Sequence, residues 1–141
     1  MNLTEHFTLE ELTTTDHRQF DNTPNETERE NLVRLAGLLE LVKVAIGGKP
    51  VMVNSAFRSK SVNDAVGSKD TSQHRIGCAA DIRVPGMAPD AVVKAVIAAK
   101  LPFDQLIREF DRWTHISVPN TKDAAPRGQV LIIDSKGTRP Y

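Results

Sequence analysis

A single cysteine, Cys78, stands in a chain of 141 residues, so no disulfide can close within it and the core has to be held by burial. That fits folding in a reducing compartment. Net charge is also missing. Eighteen basic residues balance eighteen acidic ones, which removes the broad electrostatic footprint of a nucleic-acid partner. No stretch approaches the roughly 18 consecutive apolar residues of a membrane span. Met1 to Phe7 lacks the basic segment and apolar run of a secretory leader. Internal repeats and low-complexity tracts are absent too. The expectation is one domain over 1–141, monomeric, made in the cytoplasm and inserted in no membrane.

What is present reads first as local structure. Residues 8 to 13 predict a short helix, with Thr8 as N-cap and Glu11 completing a capping box. Thr13 to Asp16 then turn the chain. A second capping box, Thr23 with Glu26 and Pro24 at the first helical position, predicts a helix over 24–46. Leu32, Leu35, Leu39, Val42 and Ile46 draw its apolar stripe, and Gly47-Gly48 ends it. Residues 50–54 read as a strand, 62–66 as a short helix and 67–73 as a polar loop. A strand over 79–84 is broken by Pro85-Gly86. Residues 89–99 read as a helix buried through Val92, Val93, Val96 and Ile97. A hairpin of 105–110 and 113–118, a loop over 120–128 and a strand over 129–133 complete the chain. The pattern predicts an α+β fold, a small antiparallel sheet flanked by helices.

The chemistry concentrates in two stretches. In Ser72-Gln73-His74-Arg75-Ile76-Gly77-Cys78-Ala79-Ala80-Asp81-Ile82, a histidine ends a polar loop and an aspartate sits inside an apolar strand. A carboxylate there is costly unless paired or bound to a metal. Alternation puts Ala79, Asp81 and Arg83 on one strand face. The second stretch is Glu109-Phe110-Asp111-Arg112-Trp113-Thr114-His115. A hairpin centred on Arg112 would set Glu109 directly opposite His115, with Ile107 and Ser117 on the same surface. Two histidines and an aspartate make the three protein ligands of a catalytic zinc, with the fourth position left to water. Glu109 is then available as general base. Arg58, which follows a strand, could clamp a substrate carboxylate in bidentate fashion. Ser72 and Gln73, just before His74, are candidate substrate contacts.

These residues resemble the zinc D-Ala-D-Ala carboxypeptidase family, whose signature Ser-x-His-x-x-Gly-x-Ala-x-Asp followed by Trp-x-His reads here as Ser72, His74, Gly77, Ala79, Asp81, Trp113 and His115. His6 to Leu12, Asn54 to Ser59, Val62-Asn63, Ala65 to Gly67 and Phe103 to Ile107 resemble its small phage and prophage members. The resemblance implies one zinc held by His74, Asp81 and His115, a substrate-binding Arg58, peptidoglycan stem peptide as partner, and the fold shared with the hedgehog signalling domain. Two departures stand out. Many members carry the catalytic carboxylate three residues before the last histidine, where this chain has Arg112; Glu109 resembles the hedgehog-type arrangement, with Asp111 as the weaker candidate. Ser68 replaces the second glycine of a Gly-Gly pair common in the subgroup.

The function expected is a zinc metallopeptidase acting on peptidoglycan, either a D-Ala-D-Ala carboxypeptidase or an endolysin-type endopeptidase that reaches the wall after phage-type release. Two alternatives stay open: a non-catalytic zinc module that binds peptide or protein, and a metal-free structural protein of a virion. His6 and His17 read as ordinary polar residues, Cys78 as a small buried hydrophobe and Trp113 as core or cleft wall.

Overall fold

The computed structural model describes residues 1–141. Capping starts the first two helices. At α1 (Leu9–Leu12) the Thr8 hydroxyl accepts the Glu11 N–H and the Glu11 carboxylate accepts the Thr8 N–H. Helix α2 (Glu26–Ala45) begins two residues later than its sequence suggests. Asn25, not Thr23, is the N-cap: its side chain accepts from the Glu28 N–H, and Glu28 accepts from the Asn25 N–H, each at 2.8 Å. The Thr23 hydroxyl is already used, donating to Asp21 at 2.6 Å. Gly47 and Gly48, both left-handed, end the helix as expected.

Six strands form one sheet in the order β1-β2-β4-β3-β5-β6. They are β1 (Met52–Ser55), β2 (Ala79–Arg83), β3 (Gln105–Glu109), β4 (Trp113–Ser117), β5 (Gln129–Asp134) and β6 (Gly137–Pro140). Helix α3 (Lys60–Ala65) starts two residues before its expected position, because Ser59 caps it by accepting from the Val62 N–H. Helix α4 (Pro89–Ala98) buries Val92, Val93 and Val96, but Ile97 lies at the edge of that stripe and is exposed. Gln73–Ile76 form one turn of 3-10 helix, which starts at the last residue of the polar loop expected over 67–73.

The sheet departs from its expected form in three ways. Strands β3 and β5 run parallel, because the connection after β4 crosses back past β3 before β5 begins. Strand β6 adds a second hairpin, whose turn is held by Asp134 accepting from the Lys136 N–H and pairing with Arg139. The β3–β4 hairpin is centred on Asp111 rather than Arg112, so Glu109 pairs with Trp113 and Ile107 with His115. Phe110 and Asp111 both adopt left-handed backbone, and the Arg112 N–H closes the turn on the Glu109 carbonyl at 3.0 Å.

Strand alternation divides the work between the two faces. Ala80, Ile82, Leu106 and Ile116 are fully buried and join Leu32, Leu35, Leu39 and Val42 of α2 in one core. Each buried leucine contributes roughly 1.5–3 kcal/mol relative to exposure. The other face carries Asp81, Glu109, Trp113 and His115. A bulge between Val53 and Ser55 shifts the edge strand so that Ser55 lies opposite Asp81. Gly77 joins the 3-10 turn to β2 with φ of 82°, and a Cβ there would come within 2.7 Å of the Glu28 carbonyl. Only glycine lets this turn lie against α2, which fixes where the preceding His74 emerges.

Candidate metal and catalytic site

Three side chains from three elements meet on the face away from the core. His74 comes from the 3-10 turn, Asp81 from the middle of β2 and His115 from its direct partner position on β4. All three are buried. The His115 Nδ1 lies 3.0 Å and the His74 Nε2 3.3 Å from the same Asp81 Oδ1, and one donor atom from each residue lies within 4.8 Å of the others. The two rings meet edge to face with centroids 5.1 Å apart. Zinc bonds of 2.0–2.2 Å in a tetrahedron set neighbouring donor atoms about 3.3 Å apart, close to the separations of Asp81 Oδ1 from the two imidazole nitrogens, and the donor types suit that ion.

The tautomer of His74 is set from outside the cluster. Its Nδ1 donates to the Ala56 carbonyl at 2.7 Å, which leaves Nε2 with its lone pair facing Asp81. Burial pushes the His74 imidazolium below its usual range, so the neutral, ligating form is favoured. Burial alone would raise the Asp81 carboxyl, but the two imidazoles packed against it outweigh burial and hold the group well below the usual carboxylate range.

Glu109 stands diagonally from His115 rather than opposite it, yet on the same face, with Oε1 3.9 Å from the His115 Nδ1. The Trp113 indole N–H donates to its other oxygen at 3.1 Å. Burial, and then the negative charge of Asp81, push the Glu109 carboxyl above its ordinary value. Asp111 points elsewhere: it is exposed and paired with Arg108 at 3.0 Å. Arg58 donates to Asp81 Oδ2 at 3.4 Å and to the Ser55 hydroxyl at 3.3 Å. The guanidinium therefore takes the Asp81 oxygen other than the one the imidazoles approach.

A cavity of about 670 Å³ opens beside His115 and Ile107 and is bounded by Ser72, Gln73, Asn120 and Arg127. The two residues expected to contact substrate there have structural partners. The Ser72 hydroxyl accepts from the His74 N–H at 3.2 Å. The Gln73 amide donates to Asp104 at 3.0 Å, Asn120 at 2.8 Å and the Val118 carbonyl at 3.1 Å. Asp104 is buried and gripped by Arg127, whose closest nitrogen lies at 2.7 Å. Cys78 is fully buried, and burial pushes its thiol up.

Several contributors escaped the sequence. Ala56 acts through a backbone carbonyl, which no residue type advertises. Trp113 reads as wall until its N–H is seen on Glu109. Asn22, whose side-chain amide donates to the Phe57 carbonyl and accepts from the Ser59 N–H on either side of Arg58, carries no local pattern that marks it.

An α+β sheet that brings together two imidazoles and a carboxylate able to hold one metal ion, with a further carboxylate and a guanidinium alongside, defines the candidate site. Comparison with known proteins narrows the class. The chain belongs to the peptidase M15 family, whose model matches residues 5–117. It is also similar to a zinc D-Ala-D-Ala carboxypeptidase from Streptomyces albus G, 39% identical over 56 residues, which are 40% of this chain. The chain spans about a fifth (22%) of that relative's length.

Proposed function

We propose that this chain is a zinc-dependent peptidase that hydrolyses peptide bonds in the stem peptides of bacterial peptidoglycan. The observation that carries the reading is the placement of a half-buried carboxylate, Glu109, beside the trio of candidate ligands rather than within it. His74, Asp81 and His115 would hold one zinc ion. When bound, zinc supplies a Lewis acid that polarises the scissile carbonyl and lowers the pKa of water.

The chain's own residues divide the remaining work. Glu109 takes the proton of the attacking water and passes it to the leaving amine; its raised pKa suits both directions of transfer. The Trp113 indole N–H fixes one Glu109 oxygen and leaves the other facing the site. Arg58 orients the substrate by pairing with a carboxylate of the stem peptide. The similarity to a protein named for D-Ala-D-Ala carboxypeptidase activity supports this substrate class. Action on the wall after phage-type release belongs to the same proposal.

The test is digestion of purified peptidoglycan followed by mass spectrometry of the muropeptides. New cleavage products that vanish on zinc chelation and return with added zinc are expected. Cleavage that survives complete zinc removal would reject the proposal.

A further inference from the structure

Arg58 reaches Asp81 from a stretch of irregular chain between β1 and α3, and irregular chain does not hold an arginine still by itself. What holds it comes from 36 positions earlier. The Asn22 side-chain amide donates to the Phe57 carbonyl at 3.0 Å and accepts from the Ser59 N–H at 2.7 Å. Those two groups belong to the peptide units on either side of the Arg58 Cα. The remaining polar group of the first unit, the Arg58 N–H, donates to the His74 carbonyl at 2.9 Å. With both flanking peptide planes pinned, φ and ψ of Arg58 are set, and the side chain leaves the backbone in one direction.

Asn22 is itself anchored. Its second amide hydrogen goes to the Thr13 carbonyl at 2.8 Å, just past α1. Behind it, Asp21 accepts from both the N–H and the hydroxyl of Thr23, which stiffens the approach to α2. Three bonds in this pattern need two donor hydrogens and an acceptor on one short planar group. Aspartate lacks the donors, alanine lacks everything, and glutamine places the amide one methylene too far.

We propose that Asn22 is the positioning residue for Arg58, gripping both adjoining peptide groups so that the guanidinium is presented to the substrate carboxylate. The consequence for turnover rests on the reading of Arg58 as substrate clamp; the grip itself does not.

The experiment pairs two readouts. In the zinc-loaded protein, the Arg58 Nε–Hε signal is followed by NMR in wild type, Asn22→Ala and Asn22→Asp, with zinc content measured for each. In parallel, kcat and KM on a stem-peptide substrate are measured for the wild type, Asn22→Ala, Arg58→Ala and the double variant. The signal should shift or broaden in both Asn22 variants while zinc stays bound. Asn22→Ala should lower kcat/KM about ten-fold to a hundred-fold, mostly through KM, and should add nothing once Arg58 is alanine. An unmoved Arg58 signal, or a loss that adds fully to that of Arg58→Ala, overturns the role of Asn22. If Arg58→Ala leaves KM unchanged, the substrate role of Arg58 fails instead, and the NMR result still decides the grip. Should Asn22→Ala not fold, Asn22→Asp, which keeps the acceptor for Ser59, carries both measurements.

Discussion

The His74 Nδ1 donates to the Ala56 carbonyl at 2.7 Å, and this contact orients an imidazole that the 3-10 turn alone would leave free to rotate. Backbone at the end of β1 thus prepares a ligand carried on the far side of α3.

His74→Ala should abolish stable zinc binding, taking the metal content from about one per chain to near zero. His115→Ala and Asp81→Ala should behave alike. Elemental analysis of the purified variants checks this, and full zinc occupancy in any of the three would mean the trio is not the site.

Glu109→Gln keeps the shape of the side chain and removes its basicity. Turnover of a stem-peptide substrate should fall by about 10²–10⁴, with zinc content unchanged. Asp111→Asn should have little effect, because Asp111 is turned toward Arg108. The reverse ranking would transfer the base to Asp111. A non-catalytic module would be indifferent to both changes.

Gly77→Ala should cost about 2–4 kcal/mol, combining left-handed backbone with a 2.7 Å approach to the Glu28 carbonyl. The melting temperature should drop by roughly 5–15 °C. Gly86→Ala is the control: its φ of 83° is as unfavourable, but nothing lies within 4 Å of the added Cβ. Equal losses at the two sites would show that the contact with α2 is unimportant.

Asp104 gives stability a defined dependence on acid. The hydrogen bond from Arg127 first, then the Arg127 N–H and Gln73, hold its carboxyl below the ordinary range against the opposing effect of burial. Because the folded value lies below the unfolded one, the contribution is complete above about pH 4 and is lost as pH falls through the folded value. Asp104→Asn should therefore be less stable than wild type by about 1–3 kcal/mol at pH 7. The gap should close progressively below pH 4. Urea unfolding across that range measures it, and a gap independent of pH would contradict the assignment.

Much of this was legible in the sequence, for identifiable reasons. The α2 stripe of Leu32, Leu35, Leu39 and Val42 repeats at helical spacing, so burial and period agree. Asp81 among Ala79, Ala80 and Ile82 is conspicuous because a carboxylate in such company needs a partner. The register of the β3–β4 hairpin was not legible, because a turn with Phe110 and Asp111 both left-handed lacks the glycine that usually signals it. Strand β6 escaped for a similar reason: Gly137-Thr138-Arg139-Pro140 is short and polar, and it forms by pairing with β5 at the sheet edge. The parallel join of β3 to β5 depends on the path of residues 118–128, on which local propensity is silent. Side-chain partners such as Asn22 with Phe57 and Ser59 are tertiary contacts with no local periodicity.

The parallel seam between β3 and β5 separates two duties along the chain. The three candidate ligands all lie at or before His115, whereas Asn120 and Arg127, which bound the adjoining cavity, arrive only on the way to β5. Ladder bonds to β3 tether that returning segment at one end whatever lies between. Evolution can accordingly lengthen, shorten or recharge this stretch to suit a different peptide while the coordinating trio keeps its geometry.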